Sequence, residues 1–239
     1  MEDLKLAISK DKWLHDYKMN LTGKKLLISF VAFIGAQLVF GIIIGLLKSR
    51  FDLNINSLML NIIMNGIMIL LIPIVYSFRG FSADFLKRGS FSSENIQTGI
   101  FYGLVCLLVN LIVGTILVYL YAFLGVEPAE QQALQMISNL GSSDVLLIIF
   151  GIVIAAPVAE EFFFRGVIQR TFAINISMRN AVIINSLIFA LIHQDWYQFP
   201  QIFLLSVVLS IAYNKTGNIV TPIIAHIISN SLFLLAFFI

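Results

Sequence analysis

The feature that most limits how this chain can fold is a succession of long apolar runs. They cover Leu26–Leu47, Leu58–Phe78, Ile96–Leu124, Val145–Phe172, Ala181–His193, Phe199–Tyr213 and Ile219–Ile239. About 20 apolar residues at a 1.5 Å rise cross a hydrocarbon core of roughly 30 Å. In lipid every backbone N–H and C=O must find its partner inside the protein, so such runs become helices. The fifth and sixth runs are short for a full crossing, which suits tilted, broken or neighbour-buried helices. Only 12% of the chain is charged and 59% is hydrophobic, whereas a soluble domain carries about 25% charge. The expectation is an all-α, polytopic integral membrane bundle with about seven to eight transmembrane helices. It forms a single membrane domain over residues 1–239, and residues 1–25 are a basic cytoplasmic N-terminal segment.

Charge placement orients the bundle. With the N-terminus inside, every lysine and arginine except Lys48 and Arg50 falls on the cytoplasmic side, and the loop around Glu127, Glu130 and Asp144 has no basic residue. This matches the positive-inside rule. The C-terminus is then outside, in a multi-pass protein of the cell membrane. The first apolar run exceeds a signal-peptide core and lacks a small-residue cleavage site, so it reads as a retained helix. A net charge of +2, scattered along the chain, is too small to point to a nucleic-acid partner, and none is expected. The single cysteine, Cys106, excludes a disulfide framework and reads as packing. Residues 125–144 can form a short surface helix, and Gly99-x-x-x-Gly103 permits close helix approach.

Against this background Ala156-Pro-Val-Ala-Glu160-Glu161-Phe-Phe-Phe-Arg165-Gly is anomalous. Three ionised side chains at mid-membrane cost roughly 8–10 kcal/mol before pairing. On a helix Glu161 and Arg165 are one turn apart and can pair, while Glu160 points about 100° away. Two roles follow: a structural ion pair, and a separate carboxylate available for acid–base work. Pro157, lacking an N–H, frees the carbonyl of Val153 at α-helical spacing and tends to kink the helix there.

Two later spans carry Phe189-Ala-Leu-Ile-His193 and His226-Ile-Ile-Ser-Asn230, each a one-turn pair on one face. Counted at about 1.5 Å per residue from the cytoplasmic end, Glu160 lies about 15 Å deep, His193 about 20 Å, His226 about 14 Å and Asn230 about 20 Å. Four polar side chains from three helices can therefore meet near mid-membrane. Asn185, two turns before His193, can orient that ring or make a helix–helix contact. Trp196, Tyr197 and Phe199 form either a substrate gate or an interfacial aromatic belt. Thr221-Pro222 opens the last helix, Thr as cap and Pro in its first turn. The remaining histidine, His15, sits in the basic N-terminal segment and carries no assignment.

The ordered triple Glu160-Glu161-x-x-x-Arg165, Phe189-x-x-x-His193 and His226-x-x-x-Asn230 resembles the signature motifs of the CPBP family, also called Abi or type II CAAX prenyl proteases. The likeness covers roughly residues 145–235, which would form the catalytic core. It implies an intramembrane endopeptidase that opens to the cytoplasm and hydrolyses a membrane-associated or lipidated peptide. Carried over by motif, Glu160 would activate water with help from His193. His226 and Asn230 would donate to the oxyanion, and Glu161, Arg165 and Phe189 would support the site. No cofactor is expected. The alternative is a zinc ion held by Glu160, His193 and His226 with an open fourth position, although no His-Glu-x-x-His helix is present.

The Ile-, Asn- and Lys-rich composition leans towards a low-GC bacterium, where such proteins serve peptide maturation or bacteriocin self-immunity. Two other classes stay open on sequence alone: a non-catalytic scaffold or immunity protein binding a membrane partner, and a small transporter using the same polar groups as a proton relay.

Overall fold

A computed structural model describes residues 91–126, 149–193 and 195–238, with scattered helical positions between 35 and 50. Among the described residues all regular structure is helical. The expectations for residues 1–25, for most of the first two apolar runs and for the 125–144 helix lie outside the described residues.

Helix α1, Ser93–Phe123, is long and apolar enough to cross a membrane. The Ser92 hydroxyl accepts the Asn95 N–H at 3.2 Å, and Glu94 sits in the first turn, where the helix dipole favours an acid. At the other end Gly125 takes φ +67°. Its N–H reaches the Ala122 carbonyl, and the Val126 N–H reaches that of Tyr121. These two bonds form a Schellman stop, which needs a residue comfortable at positive φ.

Helix α2 is one continuous rod in four segments. These are π-helical Gly151–Ala155, α-helical Ala156–Phe163, π-helical Phe164–Gln169 and α-helical Arg170–Asn175. Helix α3, Met178–Ile192, starts from Ser177, whose hydroxyl accepts the Asn180 N–H. Helix α4, Phe199–Thr216, ends at Gly217, which has φ +63°. Helix α5, Val220–Phe238, follows at once. Its first turn is capped by Asn218, whose side-chain oxygen accepts the Val220 N–H at 2.9 Å. Thr221 is therefore not the cap; its hydroxyl bonds Thr216 and the Asn95 carbonyl instead. Both α3 and the Val220–Leu235 part of α5 are apolar but short of a full span.

Contacts between helices set their directions. Gly99 lies against Ile224 and Gly103 against Ile228, so α1 and α5 run parallel at a separation that only glycine allows. A Cβ on either glycine would come within 2.8 Å of an isoleucine Cβ. Cys106 packs with Leu205, Leu209 and Ala225 where α1, α4 and α5 meet, as a plain core residue. Asn110 meets Gln201 and Tyr121 meets Tyr197, so α4 runs antiparallel to α1. The outer face of α1, including Phe101, Leu104, Leu108 and Ile112, is exposed, as expected for a helix bathed in lipid.

Candidate active site

The site is assembled by α2, α3 and α5 and held from behind by α4. Arg165 and Glu161, one turn apart on α2, form a fully buried ion pair at 2.9 Å. Arg165 also donates to both the carbonyl and the hydroxyl of Ser206 on α4. One turn further along, Gln169 donates to Asn214, and Asn185 of α3 reaches Gln169 and Ser210. A guanidinium in an apolar bundle is tolerable because these groups surround it. Asn185 belongs to this ladder and does not orient His193: it makes the polar helix–helix contact. Near the end of α2, Arg170 donates to the Tyr213 hydroxyl and lies over its ring.

The two adjacent carboxylates part company as helical geometry requires. Glu161 is 0% exposed, and its Oε1 also holds His226 Nδ1 at 2.8 Å. Glu160 is 22% exposed, with its Oε2 at 3.8 Å from His226 Nε2. One carboxylate therefore fixes the ring of His226 and the other meets its opposite nitrogen at an open surface. His193 caps α3, where its Nδ1 donates to the Phe189 carbonyl at 2.7 Å, in the tautomer that leaves Nε2 as an acceptor. The Phe189 ring is fully buried and lies 4.5 Å from His193, 6.1 Å from His226 and 5.0 Å from the Arg165 guanidinium. It is the shared floor under both histidines.

Asn230 reaches α2 from α5 and donates to the Ile152 carbonyl at 3.0 Å. The sequence gives the physical reason. In the π segment the Ala156 N–H bonds Gly151, five residues back. The next donor in that register would serve Ile152, but it is Pro157 and has no N–H. The freed carbonyl is therefore that of Ile152, not Val153, and Asn230 satisfies it.

Glu160, Phe189, His193, His226 and Asn230 all line one cavity of about 270 Å³. Among the described residues Glu160 is its only acid and the two histidines its only imidazoles. Its wall also contains Asn110, Gln198, Gln201 and Ser229, which sequence reasoning missed. For Asn110, Gln201 and Ser229 the available signal was an isolated polar side chain inside an apolar run. The α4 ladder had a stronger one, since Ser206, Ser210 and Asn214 recur every fourth residue. Trp196 and Phe199 do not line this cavity: Trp196 is 70% exposed and stacks on Phe199. Tyr197 packs on Tyr121, which donates to its carbonyl. Among the described residues no three His, Cys, Asp or Glu side chains are grouped to hold a metal ion. Glu160, His193 and His226, the suggested zinc ligands, are not such a group.

Residues 142–232 match the family described as type II CAAX prenyl endopeptidase, Rce1-like. A membrane-embedded CAAX protease, MroQ, of Staphylococcus aureus (strain USA300) is 30% identical over 127 residues, which cover 51% of this chain and 49% of that protein. An uncharacterized 24.3 kDa protein of Escherichia coli is 29% identical over 113 residues, 45% of this chain and 52% of that one. The chain thus spans about half the length of these curated relatives. No solved structure matches it.

Proposed function

We propose, from the match of residues 142–232 to the Rce1-like type II CAAX prenyl endopeptidase family, that this chain is an intramembrane endopeptidase. It cleaves a membrane-associated peptide with water activated by Glu160 and without a metal ion. The observation that carries this reading is the division of labour between the paired carboxylates. Glu161 is sealed between Arg165 and His226, while Glu160 opens into a cavity beside two histidines.

A water between Glu160 and His193 gives one proton to the Glu160 carboxylate while His193 Nε2 accepts its other hydrogen. The oxygen attacks the peptide carbonyl carbon, and the π pair moves to the carbonyl oxygen. His226 is turned by Glu161 so that Nε2 faces Glu160, and in its protonated form it donates to that oxyanion. One N–H of the Asn230 amide holds Ile152 and the second is left for the same oxyanion. Glu160 then returns its proton to the departing amine as the C–N bond breaks, so one carboxylate serves both steps. Donors fixed in a dry cavity are effective, and losing one costs roughly 10²–10³-fold in rate.

The test is cleavage of a fluorogenic panel, farnesylated CaaX peptides and short hydrophobic peptides included, by purified protein. Wild type is compared with Glu160→Ala and His193→Ala, with and without a zinc chelator. Activity absent in both variants and indifferent to chelator supports the reading. Chelator sensitivity restored by zinc refutes its metal-free part. Variants that match the wild type on every peptide and still complement in cells point to a scaffold.

A further inference from the structure

A second cavity, of about 300 Å³, adjoins the first and shares Asn110, Gln198, Gln201 and Phe233 with it. Otherwise its character is different: Leu107, Leu111, Leu117, Val118 and Leu232 make it mainly apolar, Thr115 and Tyr197 add two hydroxyls, and among the described residues no carboxylate or imidazole lines it. The boundary is a hydrogen-bonded chain. Gln201 Nε2 donates to Asn110 Oδ1 at 3.2 Å, and Asn110 Nδ2 donates to Ser229 Oγ at 3.1 Å. Primary amides are good mimics of a peptide bond. An extended backbone crossing this boundary can replace the Asn110–Gln201 bond with amide–amide bonds of the same kind, so the exchange costs little net hydrogen-bond energy.

We infer that the second cavity is a specificity subsite, with Asn110 and Gln201 binding the peptide backbone and the apolar chamber taking one apolar side chain a few residues from the scissile bond. The inference rests on the endopeptidase reading. Continuity with the Glu160 cavity selects the occupant, because a chain lying in one enters the other across a wall already built of amides. Gly114 lines the chamber: the atoms nearest to a Cβ built there are those of the Gln201 amide, at 3.4 Å or more. The chamber stays open because that position has no side chain.

The experiment uses full-length Glu160→Gln protein in detergent, which binds without turnover, and fluorescent peptides with Ala replaced by Leu at each position in turn. One position, or two adjacent ones, should tighten binding about tenfold or more on Ala→Leu. Gly114→Phe, filling the chamber, should abolish that preference, and Gly114→Ala should reduce it less. Leu111→Trp is a second way to fill the chamber if Gly114→Phe does not fold. Each variant is checked for a monodisperse elution profile. The same peptides are then assayed for cleavage with Glu160 intact. A binding preference erased by either filling variant, without cleavage by any protein, keeps the subsite and removes the endopeptidase reading. Cleavage that is indifferent to side-chain size, or a preference unchanged by both filling variants, overturns the subsite and leaves the endopeptidase reading standing. Peptide-independent retention of lipid that disappears in Gly114→Phe would make the chamber a lipid seat, and that too overturns the proposal.

Discussion

Replacing Glu161 and Glu160 one at a time by glutamine separates support from chemistry, although the two residues are adjacent. Glu161→Gln removes the charge facing Arg165 at 2.9 Å and His226 Nδ1 at 2.8 Å, in a pocket with 0% exposure. Arg165 keeps its bonds to Ser206 but becomes a buried cation without a counter-charge in contact. Breaking a buried pair from one side costs about 3–5 kcal/mol. In a chain of this size each kcal/mol moves the midpoint by about 2–4 °C, so the fall should be roughly 6–20 °C. Glu160→Gln acts on a partly exposed group whose imidazole neighbour, His226, is 3.8 Å away, and it should cost less than about 1 kcal/mol. Its effect belongs to rate, about 10²–10⁴-fold if it removes the general base. The assay is thermal unfolding in one detergent beside cleavage of one peptide. Equal midpoints for the two variants, or a Glu161→Gln midpoint within about 2 °C of wild type, would refute the assignment. As a control, Glu161→Leu/Arg165→Met should recover much of the lost stability, since an apolar pair can replace a buried ion pair.

Three further outcomes are expected. Gly103→Val should destabilise by about 1–3 kcal/mol, because its first carbon already comes within 2.8 Å of Ile228; an unchanged unfolding midpoint would refute the α1–α5 contact. Asn230→Ala should cost about 1–3 kcal/mol by leaving the Ile152 carbonyl unpaired. In a Pro157→Ala background the restored N–H can serve that carbonyl, so Asn230→Ala should cost less there; additive effects in the unfolding cycle would refute the π-register account. Arg165→Lys should be clearly less stable than wild type, because an ammonium cannot reproduce the forked contacts to Glu161 and Ser206; a melting curve that overlays wild type would contradict this.

Several parts of this molecule could be read from residue order alone, because they depend on distance along one helix. The apolar run Ile96–Leu124 became α1, Phe199–Tyr213 became the body of α4, and Glu161 and Arg165 paired as their four-residue spacing requires. The position of each motif along its helix placed Glu160, His193, His226 and Asn230 at comparable levels, and they share one cavity. Contacts between helices depend on rotational phase and stagger. A span that is apolar around its whole circumference marks no face, so its periodicity states neither. Only the packed bundle therefore decided that Glu161 holds His226, that Asn185 turns towards Gln169 and Ser210, and that Asn218 rather than Thr221 caps α5. The same holds for Asn230 and Ile152, with an added local cause: Pro157 removes a donor that any helix would miss, but the π register decides which carbonyl loses it. Residue order settled which polar side chains an apolar bundle must accommodate, and tertiary packing settled which of them face one another.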